Sequence, residues 1–211
     1  MNQPEQPAAA IFDLGGVLMD IAVGRTIAAW AAETGLTPEE VRRRLADLSL
    51  YHRYERGEIT PEAFQRDTCR RLGCAMTAEA FDRGWNTLLG LPMPGVDALL
   101  ADLAPRLRLV ALTNTNWGHA QVWQQTCAAT LRHFERVFQS WQMGCRKPEA
   151  ACYQIVLDYL GLAPGRIVYF DDVAENVAAA ESLGMIARCV AGPTDIAREL
   201  ESLGISPRAE P

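Results

Sequence analysis

Short, continuously apolar runs alternate with helical periodicities along most of the chain. The run from Ala9 to Leu14 ends in Asp13-Leu14-Gly15-Gly16, the pattern of a buried strand meeting a tight loop. Arg108 to Leu112 (RLVAL) followed by Thr113-Asn114 has the same form, and so has Arg166 to Phe170 (RIVYF) followed by Asp171-Asp172. Weaker strands are predicted at Arg136 to Gln139 and Met185 to Val190. Helices are predicted over Pro94 to Leu103, Asn116 to Thr126, Glu149 to Leu160 and Ala174 to Leu183. The last two meet Gly161 and Gly184, the residue type that closes a helix in the left-handed conformation. Strands apolar on both faces, separated by helices, predict an α/β fold: a doubly wound parallel sheet covered on both sides.

Residues 20–90 read differently, with no convincing strand. Thr37-Pro38-Glu39-Glu40 is a capping box with proline at the first helical position, opening a helix through about Leu48. Gly24 to Thr34, Thr60 to about Gly73, and Thr77 to Leu89 are further helices. Consecutive parallel strands in such folds are about 30 residues apart, yet Asp13 and Thr113 are separated by 100. An inserted helical cap accounts for the excess. The predicted division is a core from residues 9–19 and 91–205, with a cap at 20–90. Residues 1–8 and 205–211 are polar, proline-containing tails expected to be loosely ordered.

The 211 residues are 49% hydrophobic and 22% charged, which excludes a disordered or fibrous chain. A net charge of −6 makes nucleic acid an unfavourable partner. No apolar stretch is long enough to span a bilayer, and the amino terminus lacks the pattern of a secretory signal. Six cysteines without zinc spacing are expected to be buried or half-buried free thiols. The expectation is a cytoplasmic protein, monomeric or homodimeric, with no membrane or nucleic-acid partner.

Ligands of open α/β sheets sit at the carboxyl ends of the strands. Those ends present Asp13, Thr113-Asn114 and Asp171-Asp172, with Lys147-Pro148 just before a helix. Carboxylates at strand tips suit Mg²⁺, and a nearby lysine balances the charge of a phosphoryl group. The backbone amides of Leu14 and Gly15, and those around Asn114, can donate to its oxygens. A carboxylate at the first strand end can also attack phosphorus. Each piece alone is common. Their order is not: 100 residues from Asp13 to Thr113, 34 more to Lys147 and 25 more to Asp172.

That order resembles the haloacid dehalogenase-like (HAD) hydrolase superfamily. IFDLGGVLMD (11–20), VALTNTN (110–116), CRKPE (145–149) and VYFDDVAENVAAAESLGM (168–185) look like its four motifs, and YHRYERGEITPEAF (51–64) is typical of its C1-type caps. The likeness is greatest to the bacterial α-D-glucose-1-phosphate phosphatases. It implies a HAD-like Rossmannoid core and a Mg²⁺-dependent phosphatase of a small phosphorylated metabolite, such as a sugar 1-phosphate. By the same likeness Asp13 is the nucleophile and a metal ligand, the Gly15 carbonyl and Asp172 are further ligands, and Asn176 holds a metal-bound water. Thr113 and the Asn114 amide would bind the phosphoryl group, and Lys147, oriented by Asp171, would neutralise it.

One position departs from the pattern. Most phosphatases of this superfamily carry a second aspartate, an acid–base group, where this chain has Gly15, although the glucose-1-phosphate subgroup shares the glycine. A sugar's anomeric oxygen leaves readily, or a cap residue supplies the proton, with His52, Glu55 and Glu58 the candidates. Tyr51, His52, Arg53, Tyr54 and Arg56 are candidates for substrate contact as well as for helix packing. Two other functions remain open on sequence grounds: a metal-independent 2-haloacid dehalogenase, and a catalytically weak metabolite-binding or regulatory protein.

Overall fold

The computed structural model describes residues 6–205. Its strands are β1 (Ala9–Phe12), β2 (Met19–Ile21), β3 (Leu89–Pro92), β4 (Arg108–Thr113), β5 (Arg136–Gln139), β6 (Ile167–Asp171) and β7 (Ile186–Cys189). Five of them form one parallel sheet in the order β5-β4-β1-β6-β7. The predicted doubly wound α/β core is therefore present.

The helices are α1 (Val23–Thr34), α2 (Pro38–Arg44), α3 (Ser49–Glu55), α4 (Pro61–Leu72), α5 (Ala78–Asn86), α6 (Val96–Leu103), α7 (Trp117–Thr126), α8 (Ala128–Leu131), α9 (Ser140–Met143), α10 (Ala150–Leu160), α11 (Ala174–Ser182) and α12 (Pro193–Ser202). Alternation along β1 divides the apolar core. Ala10 and Phe12 pack on one face with Leu100, Leu109 and Phe170. Ala9 and Ile11 pack on the other with Val110, Tyr153 and Tyr169. A third apolar cluster, including Trp30, Val41, Phe64, Leu72, Phe81 and Trp85, lies wholly within α1 to α5.

Several sequence expectations need correction. The stretch read as strand-free is bounded by β2 and β3, which pair antiparallel with Met19 opposite Pro92 and Ile21 opposite Leu89. Three- and four-residue strands are too short to display a period. The helix opened by the Thr37 box ends at Arg44, short of the expected Leu48, and α3 is a further helix that the sequence reading did not mark. The capping box itself is present, with the Thr37 hydroxyl accepting from the Glu40 amide. The predicted helix from Thr77 stops at Asn86, because the chain must turn into β3. Helix α12 had no counterpart in the reading.

The expected loose tails lie in part outside the described residues, at 1–5 and 206–211. Within the described chain, the Ala8 amide donates to the Arg166 carbonyl and Ile205 is buried. Both ends there belong to the core. All six cysteines are free, and Cys189 departs from expectation in being exposed. Among the described residues no helix is long and apolar enough to cross a membrane.

Candidate active site

Strand register assembles the site. Phe12 sits opposite Ala111 on one side and Phe170 on the other. The next residue, Asp13, therefore emerges between the ends of β4 and β6, where Thr113 and Asp171 finish their strands. All three are buried.

Lys147 joins them from the loop before α10. Its Nζ is 3.0 Å from Asp13 Oδ1 and 2.6 Å from Asp171 Oδ2, with the lysine itself 1% exposed. Burial opposes the ammonium charge, but the two carboxylates outweigh it and hold the Lys147 pKa above its ordinary value. For Asp13, burial dominates the pull of Lys147 and pushes the carboxyl to about 7. Asp171 lies below the usual carboxylate range, because Lys147 and its hydrogen bonds overcome its burial.

Asp171 is fully occupied. Oδ2 receives Lys147 and the Tyr169 hydroxyl, while Oδ1 receives the Val173 amide at 2.9 Å and Asn176 Nδ2 at 3.0 Å. Asn176, expected beside a metal-bound water, stands next to the site and donates its Nδ2 to Asp171. Asp172 is exposed at the site's edge, and one carboxylate oxygen each from Asp13, Asp171 and Asp172 lie within 4.8 Å of one another. Gly16 makes that approach possible. A Cβ on Gly16 would stand 2.3 Å from Asp172 Oδ2, and its φ is +78°. The sequence reading overlooked Gly16, for which the Gly15-Gly16 pair is the only signal.

The Leu14 amide and the Asn114 side chain both have partners within the site. The Leu14 amide donates to Asp13 Oδ1 at 2.7 Å, so it fixes the carboxylate rather than an incoming oxygen. The Asn114 side chain pairs reciprocally with the Lys147 backbone, Nδ2 to carbonyl at 3.0 Å and amide to Oδ1 at 2.8 Å. Asn114 thereby sets the height of the lysine.

The helices of α1 to α5 are tied down over this edge. Buried Glu55 accepts from Arg146 Nε at 2.7 Å, immediately before Lys147. Arg56 pairs with Glu149 just after it. The Gly118 amide donates to the Tyr54 hydroxyl at 3.2 Å, and Trp85 stacks on His119 with ring centres 4.3 Å apart. His119 is a buried, neutral imidazole, its Nδ1 3.1 Å from Asn116 Nδ2 and its Nε2 3.2 Å from the Trp85 carbonyl. Burial lowers its pKa to about 4.

Helical phase sorts the residues of α3. Leu50, Tyr54 and Glu55 are buried, whereas Arg53 points to Glu58 at 3.4 Å in an exposed pair. Arg53 is thus not gathered with Asp13 and Lys147, since residues two apart on a helix face different directions. His52 lies nearer Arg146 and Glu55, and desolvation and Arg146 lower its pKa. Gly15 faces the side chain of Ile21, whose Cδ1 would be 3.1 Å from an added Cβ.

Comparison with known proteins agrees with this geometry. The family model for haloacid dehalogenase-like hydrolases matches residues 7–184. Acyl-CoA dehydrogenase family member 10 of Mus musculus is 26% identical over 202 residues, covering 92% of this chain but 19% of that protein. The chain thus spans about a fifth of that relative. A phosphatase of Mycobacterium tuberculosis is 28% identical over 215 residues, covering 93% of this chain and 95% of that protein. Among solved structures, a HAD family enzyme of Bacteroides thetaiotaomicron is 25% identical with a TM-score of 0.79, covering 90% of this chain and 96% of that one. The same Bacteroides enzyme has been solved with magnesium and inorganic phosphate.

Proposed function

The chain belongs to the haloacid dehalogenase-like hydrolase family, and we propose that it is a Mg²⁺-dependent phosphatase of small phosphorylated metabolites, with residues 20–90 as a C1-type cap. The observation that carries this reading is the buried Asp13–Lys147–Asp171 cluster, with a third carboxylate, Asp172, beside it. The named activity of the Mycobacterium relative supports it.

The donor set fits a magnesium ion. It is all hard oxygen, and because Asp171 is saturated by four donors, Asp13 and Asp172 are the carboxylates left to hold a cation, with the Gly15 carbonyl as a further ligand. Bound there, Mg²⁺ would supply positive charge that keeps Asp13 ionised and offsets the phosphoryl oxygens.

The protein's own residues do the rest. The Leu14 amide and Lys147 both contact Oδ1 of Asp13, which leaves Oδ2 as the attacking atom. Attack of Oδ2 on phosphorus forms the aspartyl-phosphate as the phosphorus–oxygen bond to the leaving group breaks, the departing oxygen takes its proton from solvent water, and water then cleaves the acyl phosphate to regenerate Asp13 and release inorganic phosphate. Lys147, Thr113 and the backbone amides of Gly15 and Asn114 stabilise charge on the transferring group, and this preorganised field is what phosphoryl transfer chiefly requires. The free thiols support a reducing, cytoplasmic setting.

Of the acid candidates on the cap, Glu55 is paired with Arg146 in a buried contact and Glu58 faces Arg53 in an exposed one. The motif likeness on its own points to a sugar 1-phosphate. The acidic pair Asp171-Asp172 argues against the dehalogenase reading, which has no need of a metal site there.

The test is phosphate release from p-nitrophenyl phosphate and a set of phosphate monoesters, with Mg²⁺ or EDTA, by the native protein and by Asp13→Asn. Release that needs both Mg²⁺ and Asp13 is expected. No release from any ester would overturn the reading.

A further inference from the structure

Beside the site, inside the cap, lies a cavity of about 400 Å³. It is walled by Ile27, Trp30, Leu50, Phe64, Trp85 and Leu88 among others, and its only charged lining residues are Arg42, Asp47 and Arg71. Asp47 and Arg71 neutralise each other at 3.0 Å. Of the hydroxyls on the wall, that of Thr26 is already donated to the Trp85 carbonyl at 3.1 Å. The space has the size of a ligand pocket but lacks the convergent polar groups that a polyhydroxylated ligand requires. Sugar hydroxyls placed there would lose their water without replacement.

The cavity adjoins the phosphoryl site. Tyr51 and Trp85 form part of its wall. Trp85 reaches the loop after Thr113, with Nε1 3.4 Å from Asn116 Oδ1. Ile21 covers the Gly15 position, and Val23 and Leu48, each more than half exposed, stand at the cavity's rim. Isolated exposed hydrophobics are ordinary, but Ile21 at the Gly15 position is two residues from Val23, which with Leu48 lines the cavity.

We infer that this cavity binds the hydrocarbon tail of the substrate, so that the substrate is a phosphate monoester of an aliphatic or prenyl-type alcohol. The inference rests on the phosphatase reading, since it places the ester's phosphate at Asp13. It also gives Gly15 and Ile21 a common purpose. Where an aspartate would set a charged, hydrated carboxyl beside the leaving group, this chain sets a methyl-bearing side chain.

The experiment compares butyl, octyl and dodecyl phosphate, kept below their micelle thresholds, with glucose 1-phosphate and p-nitrophenyl phosphate. In parallel, the tryptophan fluorescence of Trp30 and Trp85 is followed as the matching alkylphosphonates, which cannot be hydrolysed, are titrated in. Each methylene buried should raise kcat/KM about fourfold until the cavity is full, and phosphonate affinity should climb in step. Ala46→Trp, which places a large ring on the cavity wall, should lower the dodecyl-to-butyl ratio at least tenfold. If p-nitrophenyl phosphate is cleaved while turnover and binding are indifferent to chain length, the tail site is overturned and the phosphatase reading stands. If no ester is cleaved but long phosphonates still bind, the tail site stands and the phosphatase reading falls. If neither is seen, both fall.

Discussion

Lys147 Nζ stands 3.0 Å from Asp13 Oδ1 with both side chains buried. A charge pair out of water is sensitive to the loss of one member, because the survivor is left unpaired in a low dielectric. Lys147→Ala leaves Asp13 and Asp171 facing each other uncompensated. It should cost about 3–5 kcal/mol of stability and lower phosphate release by at least about 10²-fold. Urea denaturation and a phosphate assay read the two effects separately.

Gly16→Ala puts a methyl group where Asp172 Oδ2 now lies and forces an L side chain into a φ of +78°. The backbone penalty alone is about 1–2 kcal/mol. Titration calorimetry should show Mg²⁺ affinity reduced at least tenfold, with circular dichroism unchanged. Undiminished affinity would remove Asp172 from the metal site.

Removing magnesium can be read without turnover. A cation that binds only the folded state raises Tm as its concentration rises. The native protein should therefore melt higher in Mg²⁺ than in EDTA. Asp172→Asn, which deletes one of the two available carboxylates, should abolish most of that difference.

The buried His119 makes stability depend on pH. Its folded pKa of about 4 lies below the ordinary value of 6.5, so between those values the unfolded chain takes up a proton that the folded chain refuses. Stability should be full above pH 6.5 and fall as the pH drops toward 4, by on the order of 3 kcal/mol from this residue. His119→Asn should flatten that part of a pH–Tm profile, and an unchanged slope would assign the acid sensitivity to other groups.

Two ion pairs at the edge of the cap should differ sharply. Glu55 is 2% exposed and meets Arg146 at 2.7 Å, whereas Arg53 and Glu58 are about half exposed at 3.4 Å. A double-mutant cycle on Glu55→Gln and Arg146→Gln should give a coupling above about 1 kcal/mol, and the same cycle on Arg53 and Glu58 less than about 0.5 kcal/mol. The first pair should also change kcat, because Arg146 precedes Lys147.

What the sequence discloses is what local physics writes into it. The strand tips at Asp13, Thr113 and Asp171 are legible because a strand buried on both faces reads as an unbroken apolar run. The starts of α2, α4 and α5 are legible because each capping threonine accepts from an amide three residues on, at Glu40, Ala63 and Ala80. The contact of Glu55 with Arg146 spans 91 residues and leaves no local trace. The same is true of Gly16, whose requirement is set by a carboxylate far along the chain, and of the apolar cavity. A volume enclosed by five helices is not a pattern along any one of them. Leu14 and Asn114 stand at the strand ends the sequence indicates, but the partners of the Leu14 amide and the Asn114 side chain are set by tertiary geometry.

The pairing of Met19 with Pro92 and Ile21 with Leu89 puts the chain's departure from the sheet and its return side by side. Whatever is strung between those two points, the sheet meets it as a hairpin. The intervening segment is therefore interchangeable in principle: its length adds little closure entropy, because its ends are already clasped. Specificity can then be rewritten by exchanging one contiguous stretch of sequence, while Asp13, Thr113, Lys147 and Asp171 all lie outside it.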